Sequence, residues 1–375
     1  MAALVGGCTV ALWLLCYSLD LPGPGAAVSY ALTPRSTVGA WFPARTVAAS
    51  RTPRLVTAEN VSIPNVAVPW HGSQVALKAV LTETQTQAFL WLNDANTRAA
   101  WYTRDVTPQS RLSSWSVTKS LLSLLIGQAL ERGELQSTTR IVEVFPELQH
   151  GTPFDEITVN HLLDMTSGID MPETYTVLHP LSGASGMYMT TDLPAFVRSR
   201  TQMSGRPGQT GLYRSVDSEW LGLLLAKRTG LNLADVLSQR LWQPIGAEDN
   251  ATWNTDHQDG TERAFCCLNA SARDLAKVGI LVLNGGRVDG VQVVPAAFIE
   301  RLYHRSPITV DAWGYSSQWW HINGADDDLV AIGVFGQYIY VHPPSRTVIV
   351  KMSDYGEEQD EEETVKVFRA LTKVP

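Results

Sequence analysis

The sequence predicts an α+β fold: an antiparallel sheet built from both chain ends, flanked by helices, with an inserted and mostly helical lobe. Three observations carry this expectation. A strand pair is legible early, at "QAFLWLND" (87–94) and "RAAWYTRDV" (98–106), around a turn at Asn96. Helical patterns fill the middle of the chain. Strand-like runs return late, at "GYSSQWWHI" (314–322), "DLVAIGV" (328–334), "QYIYVHP" (337–343) and "RTVIVKMS" (346–353), with Pro343-Pro344-Ser345 as a turn. Strands at both ends with helices between them pack as one sheet plus an insertion.

Taken in order, residues 2–19, "AALVGGCTVALWLLCYSL", are apolar and uncharged up to Asp20. That length lies between the core of a signal peptide and a spanning helix, so residues 1–22 are expected to be a signal peptide or membrane anchor. Residues 23–60 read as a Pro/Gly/Ser-punctuated linker. The domain proper is expected at 61–375, with an α/β lobe at about 61–130 and 265–375 and a helical lobe at about 131–264. Within it, 116–131 is a helix with Leu121, Leu122, Leu125, Ile126, Ala129 and Leu130 on a wide apolar stripe, and Gly133 ends it. The segments "TVNHLLDMTSG", "TDLPAFVRS", "SVDSEWLGLLLAKRTG", "NLADVLSQRLW" and "NASARDLAKVGILVLNGG" each begin near a capping residue, and "EEETVKVFRALTK" closes the chain as an amphipathic helix.

Composition narrows the function. A chain of 375 residues, 45% hydrophobic and 18% charged, is an ordinary globular protein with room for two lobes. Its net charge of −8 and the lack of any Lys/Arg block argue against a nucleic-acid partner. The densest charge run, "EEQDEEE" (357–363), reads as a solvated face or the approach to a helix. Cys266 and Cys267 are adjacent, and neighbouring cysteines rarely reach disulfide geometry. No Cys/His spacing suggests zinc, and the histidines are scattered.

The stretch "LSSWSVTKS" (112–120) carries the chemistry. Ser116 sits where a buried helix begins, and Lys119 returns to the same face three residues later. Two readings compete. Ser114 or Ser116 caps the helix while Lys119 reaches for water; or Ser116 is a nucleophile and Lys119 its base, which requires burial to bring the lysine down from its ordinary pKa near 10.4. This segment alone does not separate them. No GxSxG elbow is present, so a Ser-His-Asp triad of the α/β-hydrolase kind is disfavoured. Trp319 and Trp320 alternate across a strand, so one is expected in the core and the other facing outward or toward a pocket.

The remaining motifs tip the balance. "SWSVTKSLLSLLIGQALERGEL", "ITVNHLLDMTSGID", "RPGQTGLYRSVDSEWLGLLLAKRTG", "CCLNASARDLAKVGILVLNGG" and "AIGVFGQYIYVHP" together resemble the class C β-lactamase-like serine hydrolases. Within that family the chain looks most like the nylon-oligomer (6-aminohexanoate-dimer) hydrolase group. The resemblance spans roughly residues 65–355. It implies Ser116, Lys119 and Tyr213 of "YRS" as catalytic residues, with Ser215 beside them, and the N–H groups of Ser116 and Val334 as the oxyanion hole. Tyr175 would lie on a loop over the site.

Where the family carries Lys-Thr-Gly, or His in place of Lys, this chain matches with Ala331-Ile332-Gly333. An alanine there cannot bind the carboxylate of a β-lactam, whereas Gly333 suits a strand passing tightly under a substrate. The expected activity is therefore hydrolysis of an ester or amide, including short ω-amino-acid oligomers, through an acyl-enzyme and without a metal or organic cofactor. The alternatives are a non-catalytic binding or sensor protein of the penicillin-recognising fold, or a true β-lactamase or D-Ala-D-Ala peptidase. The expected partner is a small-molecule ester or amide, with membrane contact only through the N-terminal segment. Arg35, Arg45, Arg51 and Arg54 follow that segment, and by the positive-inside rule they would keep the domain cytoplasmic. The resemblance instead implies an exported protein, periplasmic or membrane-anchored.

Overall fold

The computed structural model describes residues 12–25, 32–56, 61–94, 96–174, 182–323, 327–356 and 360–374. Its centre is a seven-stranded antiparallel sheet. In spatial order the strands are Gly314–Ser316, Trp319–His321, Leu329–Gly333, Gln337–His342, Thr347–Ser353, Thr86–Asn93 and Asn96–Tyr102. The N-terminal pair thus adds to the edge strand of the C-terminal meander, with Val350 opposite Leu90, and one sheet is made from both ends of the chain as the sequence predicts.

Period-two alternation explains why these strands read as unbroken apolar runs. Leu90, Leu92, Ala331, Ile339, Val341, Val348 and Val350 face one core, while Phe89, Trp91, Val330, Ile332, Tyr338, Tyr340 and Ile349 face another. The helix Ala272–Leu283 covers the first face. Gly279 lets it approach, because a Cβ there would meet Val348 Cγ1 at 2.5 Å. The helix Glu361–Leu371 covers the second, where Phe368 packs edge-on against Tyr338 with ring centroids 5.6 Å apart. The helix Val117–Glu131 is buried along most of its length in the first core, between this sheet and the helices of the 141–242 region.

Two expectations need correction. The run 314–322 is a hairpin, not one strand. Ser317 and Gln318 both take positive φ (49° and 69°), and the turn is held from outside: the Ser317 N–H donates to Asp164 and the Gln318 N–H to the Leu163 carbonyl. No Gly or Asn marks that turn, so local chemistry could not announce it. The stretch read as linker also enters the fold. Ala44–Val47 pairs antiparallel with Ala251–Asn254 at the edge of a second sheet, completed by Leu268–Ala270 and Leu112–Ser113. Ser36 is tied to Asp354 through both its N–H and its hydroxyl. Strands this short carry too little periodicity to read from sequence. Among the described residues no helix is long and apolar enough to cross a membrane, and residues 1–11 of the apolar N-terminal segment lie outside them.

Candidate active site

Ser116 stands immediately before the helix Val117–Glu131, and its hydroxyl is not spent on capping it. The residue before it, Trp115, holds a left-handed backbone (φ 49°), a conformation that persists only where surroundings enforce it. Here the indole is stacked on Tyr188, lies edge-on to Phe335, and donates its Nε1–H to the Arg35 carbonyl at 3.1 Å. That clamp turns the chain sharply and presents Ser116. Ser114 is buried and bonded to Leu268 and Thr118, so it shapes the turn rather than the chemistry.

One helical turn on, Lys119 is 1% exposed, which excludes a side chain reaching for water. Its Nζ lies 2.8 Å from Ser116 Oγ and 2.6 Å from the Phe265 carbonyl oxygen. Burial brings its pKa down to about 8, against the opposing charges of Glu173 and Glu219. Tyr213, half-buried, interacts with the Ser116 side chain, and its ring centroid lies 5.0 Å from Lys119 Nζ. Burial, reinforced by the Glu173 charge, pushes its phenol far above the ordinary value, so it remains protonated. The Tyr213 ring is stacked on Trp320 at 5.4 Å, whereas Trp319 is buried in the core, as the strand alternation requires.

The strand Leu329–Gly333 runs close beside the Ser116 turn. A Cβ on Gly333 would come within 2.6 Å of the Ser114 carbonyl oxygen and 3.0 Å of the Ser116 nitrogen. The glycine is therefore required by this backbone contact. Ala331 points into the core, and it is Ile332 and Val334 that line the cleft. Among the described residues, the N–H groups of Ser116 and Val334 donate to no protein group.

These residues open onto a cleft of about 230 Å³, walled also by Tyr213, Asp311, Trp313, Trp320 and Glu361. Ser215 is not on that wall. It is buried at the start of the helix Ser215–Thr229, and its N–H and hydroxyl both donate to Glu173, at 2.7 and 2.5 Å. It thereby places the carboxylate whose charge acts on Lys119. Tyr175 lies outside the described residues.

Several contributors were invisible in the sequence. Glu219 reaches the same region from the next helical turn and accepts from the Ala264 N–H, fixing the segment whose Phe265 carbonyl holds Lys119. Asp311 and Trp313 come from an Asp-Ala turn without the glycine that usually marks one, and Glu361 from the acidic run read as a solvated face or the approach to a helix. Cys266 and Cys267, in the same strap as Phe265, are joined in a disulfide, contrary to expectation; a positive φ of 77° at Cys267 folds the chain back there.

Known proteins resemble this chain over most of its length. The profile of the Beta-lactamase family matches residues 75–372. The 6-aminohexanoate-dimer hydrolase of Paenarthrobacter ureafaciens is 31% identical over 303 residues, 74% of this chain and 75% of that protein. Among solved structures, one from Bacillus anthracis, provisionally named a 6-aminohexanoate-dimer hydrolase, superposes with a TM-score of 0.79 at 22% identity, over 94% of both chains. A family VIII carboxylesterase superposes at 0.60 and 15% identity, over 78% of this chain and 94% of that one, a likeness of fold. With its mixed fold, its Ser-x-x-Lys helix and a profile match over most of its length, the chain belongs to the Beta-lactamase family of hydrolases.

Proposed function

We propose that the protein is a serine hydrolase that cleaves an ester or amide through an acyl-enzyme on Ser116. The observation that carries this reading is the position of Ser116 Oγ, 2.8 Å from the amine of a buried lysine of lowered pKa and on the same cleft wall as Tyr213, whose ring centroid lies 5.0 Å from that amine. Neutral Lys119 takes the hydroxyl proton as Oγ bonds to the substrate carbonyl carbon. The resulting oxyanion accepts from the N–H groups of Ser116 and Val334, an arrangement in which one donor is typically worth about 3–4 kcal/mol of transition-state stabilisation. The carbonyl re-forms, the C–O or C–N bond breaks, and the leaving alkoxide or amine receives a proton relayed from Lys119 through Tyr213. Water then adds to the ester carbonyl, gives up its proton along the same route, and releases the acid and free Ser116.

The 6-aminohexanoate-dimer hydrolase relative supports an amide as substrate, including short ω-amino-acid oligomers. Hydrolysis of β-lactams is disfavoured, since among the described residues no Lys, Arg or His lines the cleft to hold their carboxylate. The test is intact mass after treatment with a fluorophosphonate, on wild type and on Ser116→Ala. One adduct on wild type, absent from the variant, is expected. A folded wild type that takes no adduct would remove the acyl-enzyme reading and favour a binding protein.

A further inference from the structure

We propose that Arg35 and Ser36 set the geometry of the oxyanion hole, with Ser36 acting through Asp354 as a positioning residue for acyl transfer at Ser116. This rests on the acyl-enzyme reading and adds to its machinery a segment upstream of residues 75–372, the stretch that the family profile matches. The two proposed donors, the N–H groups of Ser116 and Val334, stand on turns far apart in the chain. Such donors act only when both lie about 2.7–3.1 Å from the position the oxyanion will take, so one turn must be fixed relative to the other. The contact at Gly333 limits how closely the two approach, but a repulsive contact does not hold them together. Arg35 and Ser36 reach both.

On the nucleophile side, the Ser36 carbonyl accepts from the Ser113 N–H at 2.6 Å, and the Arg35 carbonyl accepts from Trp115 Nε1–H at 3.1 Å. On the side of Val334, the Asp354 carboxylate accepts from both the N–H and the hydroxyl of Ser36, at 2.6 and 3.0 Å. The next residue, Tyr355, donates its N–H at 3.2 Å to the carbonyl of Phe335, which directly follows Val334. The bridge thus runs from Ser113 through Ser36, Asp354 and Tyr355 to Phe335. Ser36 is buried at its centre, and bonds accepted by a carboxylate are shorter and stronger than neutral ones.

Both turns need such a hold. Trp115, just before Ser116, and Phe335, just after Val334, each take a left-handed backbone (φ 49° and 69°), which bulky residues keep only where their surroundings over-determine it. Their rings meet edge to face with centroids 4.9 Å apart, and the Arg35 guanidinium lies over the Phe335 ring at 5.5 Å. Without the Ser36–Asp354 bonds, little beyond these ring contacts and the Gly333 contact would register one turn on the other. Misplacement by 1 Å can cost about 10²-fold in rate. Arg35, Ser36 and Asp354 do not line the cleft, and Lys119 is held separately by the Phe265 carbonyl. Loosening the bridge therefore disturbs the oxyanion site while leaving substrate binding and the base in place.

The experiment measures hydrolysis of 4-nitrophenyl butanoate by wild type, Ser36→Ala, Asp354→Ala, Asp354→Asn and the double variant Ser36→Ala/Asp354→Ala, with a thermal melt of each. Acylation and deacylation both pass through an oxyanion, so kcat should fall whichever step limits. The loss should be about tenfold for Asp354→Ala, which removes both bonds, and roughly threefold for Ser36→Ala, which removes one. Asp354→Asn keeps an acceptor for the Ser36 N–H and should retain most of the activity. The double variant should match Asp354→Ala, since among the described residues the deleted hydroxyl bonds Asp354 alone. KM and the acidic limb of the pH profile should stay in place. Inhibition by butylboronic acid, whose tetrahedral adduct on Ser116 presents an oxygen to the same two N–H groups, should weaken in step with kcat. A folded Asp354→Ala with wild-type kcat overturns the proposal, as does a loss that appears in KM or in the pH limb with boronate affinity unchanged. Should Asp354→Ala not fold, wild-type kcat and boronate affinity in Ser36→Ala overturn it alone. Variants that match an active wild type leave the hydrolase reading standing, whereas a wild type that neither turns over the ester nor takes the fluorophosphonate loses both.

Discussion

Lys119 Nζ is held 2.6 Å from the carbonyl oxygen of Phe265, a residue 146 positions further along the chain. The contact keeps the amine aimed at Ser116 within a site that disfavours its charge. Because a protonated Lys119 cannot take the serine proton, kcat/KM for a neutral ester should rise with pH through an apparent pKa of about 8 and then level. Glu173 is the larger of the two charges that raise this pKa. Glu173→Gln keeps partners for Ser215 but removes the charge, so the acidic limb should move down by roughly half a unit or more. A limb that stays in place or moves upward would separate Lys119 from the titrating base.

The stacking of Trp320 on Tyr213 makes two graded predictions. Tyr213→Phe keeps the ring and removes the proton relay, so kcat should fall about 10²-fold or more with little change in KM. Trp320→Ala leaves the phenol in place but unsupported, and a smaller loss, roughly tenfold, is expected from misplacement of a group that must be oriented. Steady-state kinetics of both variants check this. Equal losses would mean that Tyr213 acts only by packing.

Gly333→Ala tests the backbone contact at the proposed oxyanion site. The added methyl meets two main-chain atoms, the Ser114 oxygen and the Ser116 nitrogen, and neither can swing away. Overpacking of this kind costs about 1–3 kcal/mol of stability. Displacing either N–H donor should lower kcat by at least about tenfold in protein that remains folded. Thermal melts with parallel kinetics read both effects, and a variant with wild-type kcat would exclude the Val334 N–H from the oxyanion hole.

Lys351 lies outside the cleft and offers a stability test. It is 2% exposed in the strand Thr347–Ser353, its Nζ donates to Ser353 Oγ at 2.7 Å, and burial brings its pKa down to about 7. With the folded value below the unfolded one, the unfolded chain binds the extra proton between about pH 7 and 10.5. Stability therefore rises with pH across that window, and below it the full penalty applies. Lys351→Met should stabilise the protein at pH 6 by about 3 kcal/mol and by much less at pH 10. Denaturant titrations at the two pH values decide it, and a gain independent of pH would show that packing, not charge, is responsible.

The parts of this protein that were legible in its sequence are those encoded by short-range repetition. Apolar runs of strand length bounded by turn residues located the central sheet, and the stripe from Leu121 to Leu130 located the helix behind Ser116. The Ser-x-x-Lys spacing, with the matching segments around it, singled out Ser116 and Lys119, the proposed nucleophile and base. Spacing along one helix face is a local property, so one chain segment suffices to express it.

What tertiary structure alone decided are relations between segments far apart in the chain. The 314–322 run becomes a hairpin because Asp164 and Leu163 bond its turn, and 44–47 becomes a strand because 251–254 lies alongside it. Ser215 is turned away from the cleft by Glu173, and Ile332 replaces Ala331 as the side chain facing it. Asp311 and Glu361 meet across the cleft from a turn and a helix start separated by some fifty residues. No periodicity encodes such a meeting. It arises when burial of both sheet faces fixes the distances between elements, and with them the charge and shape that a substrate meets.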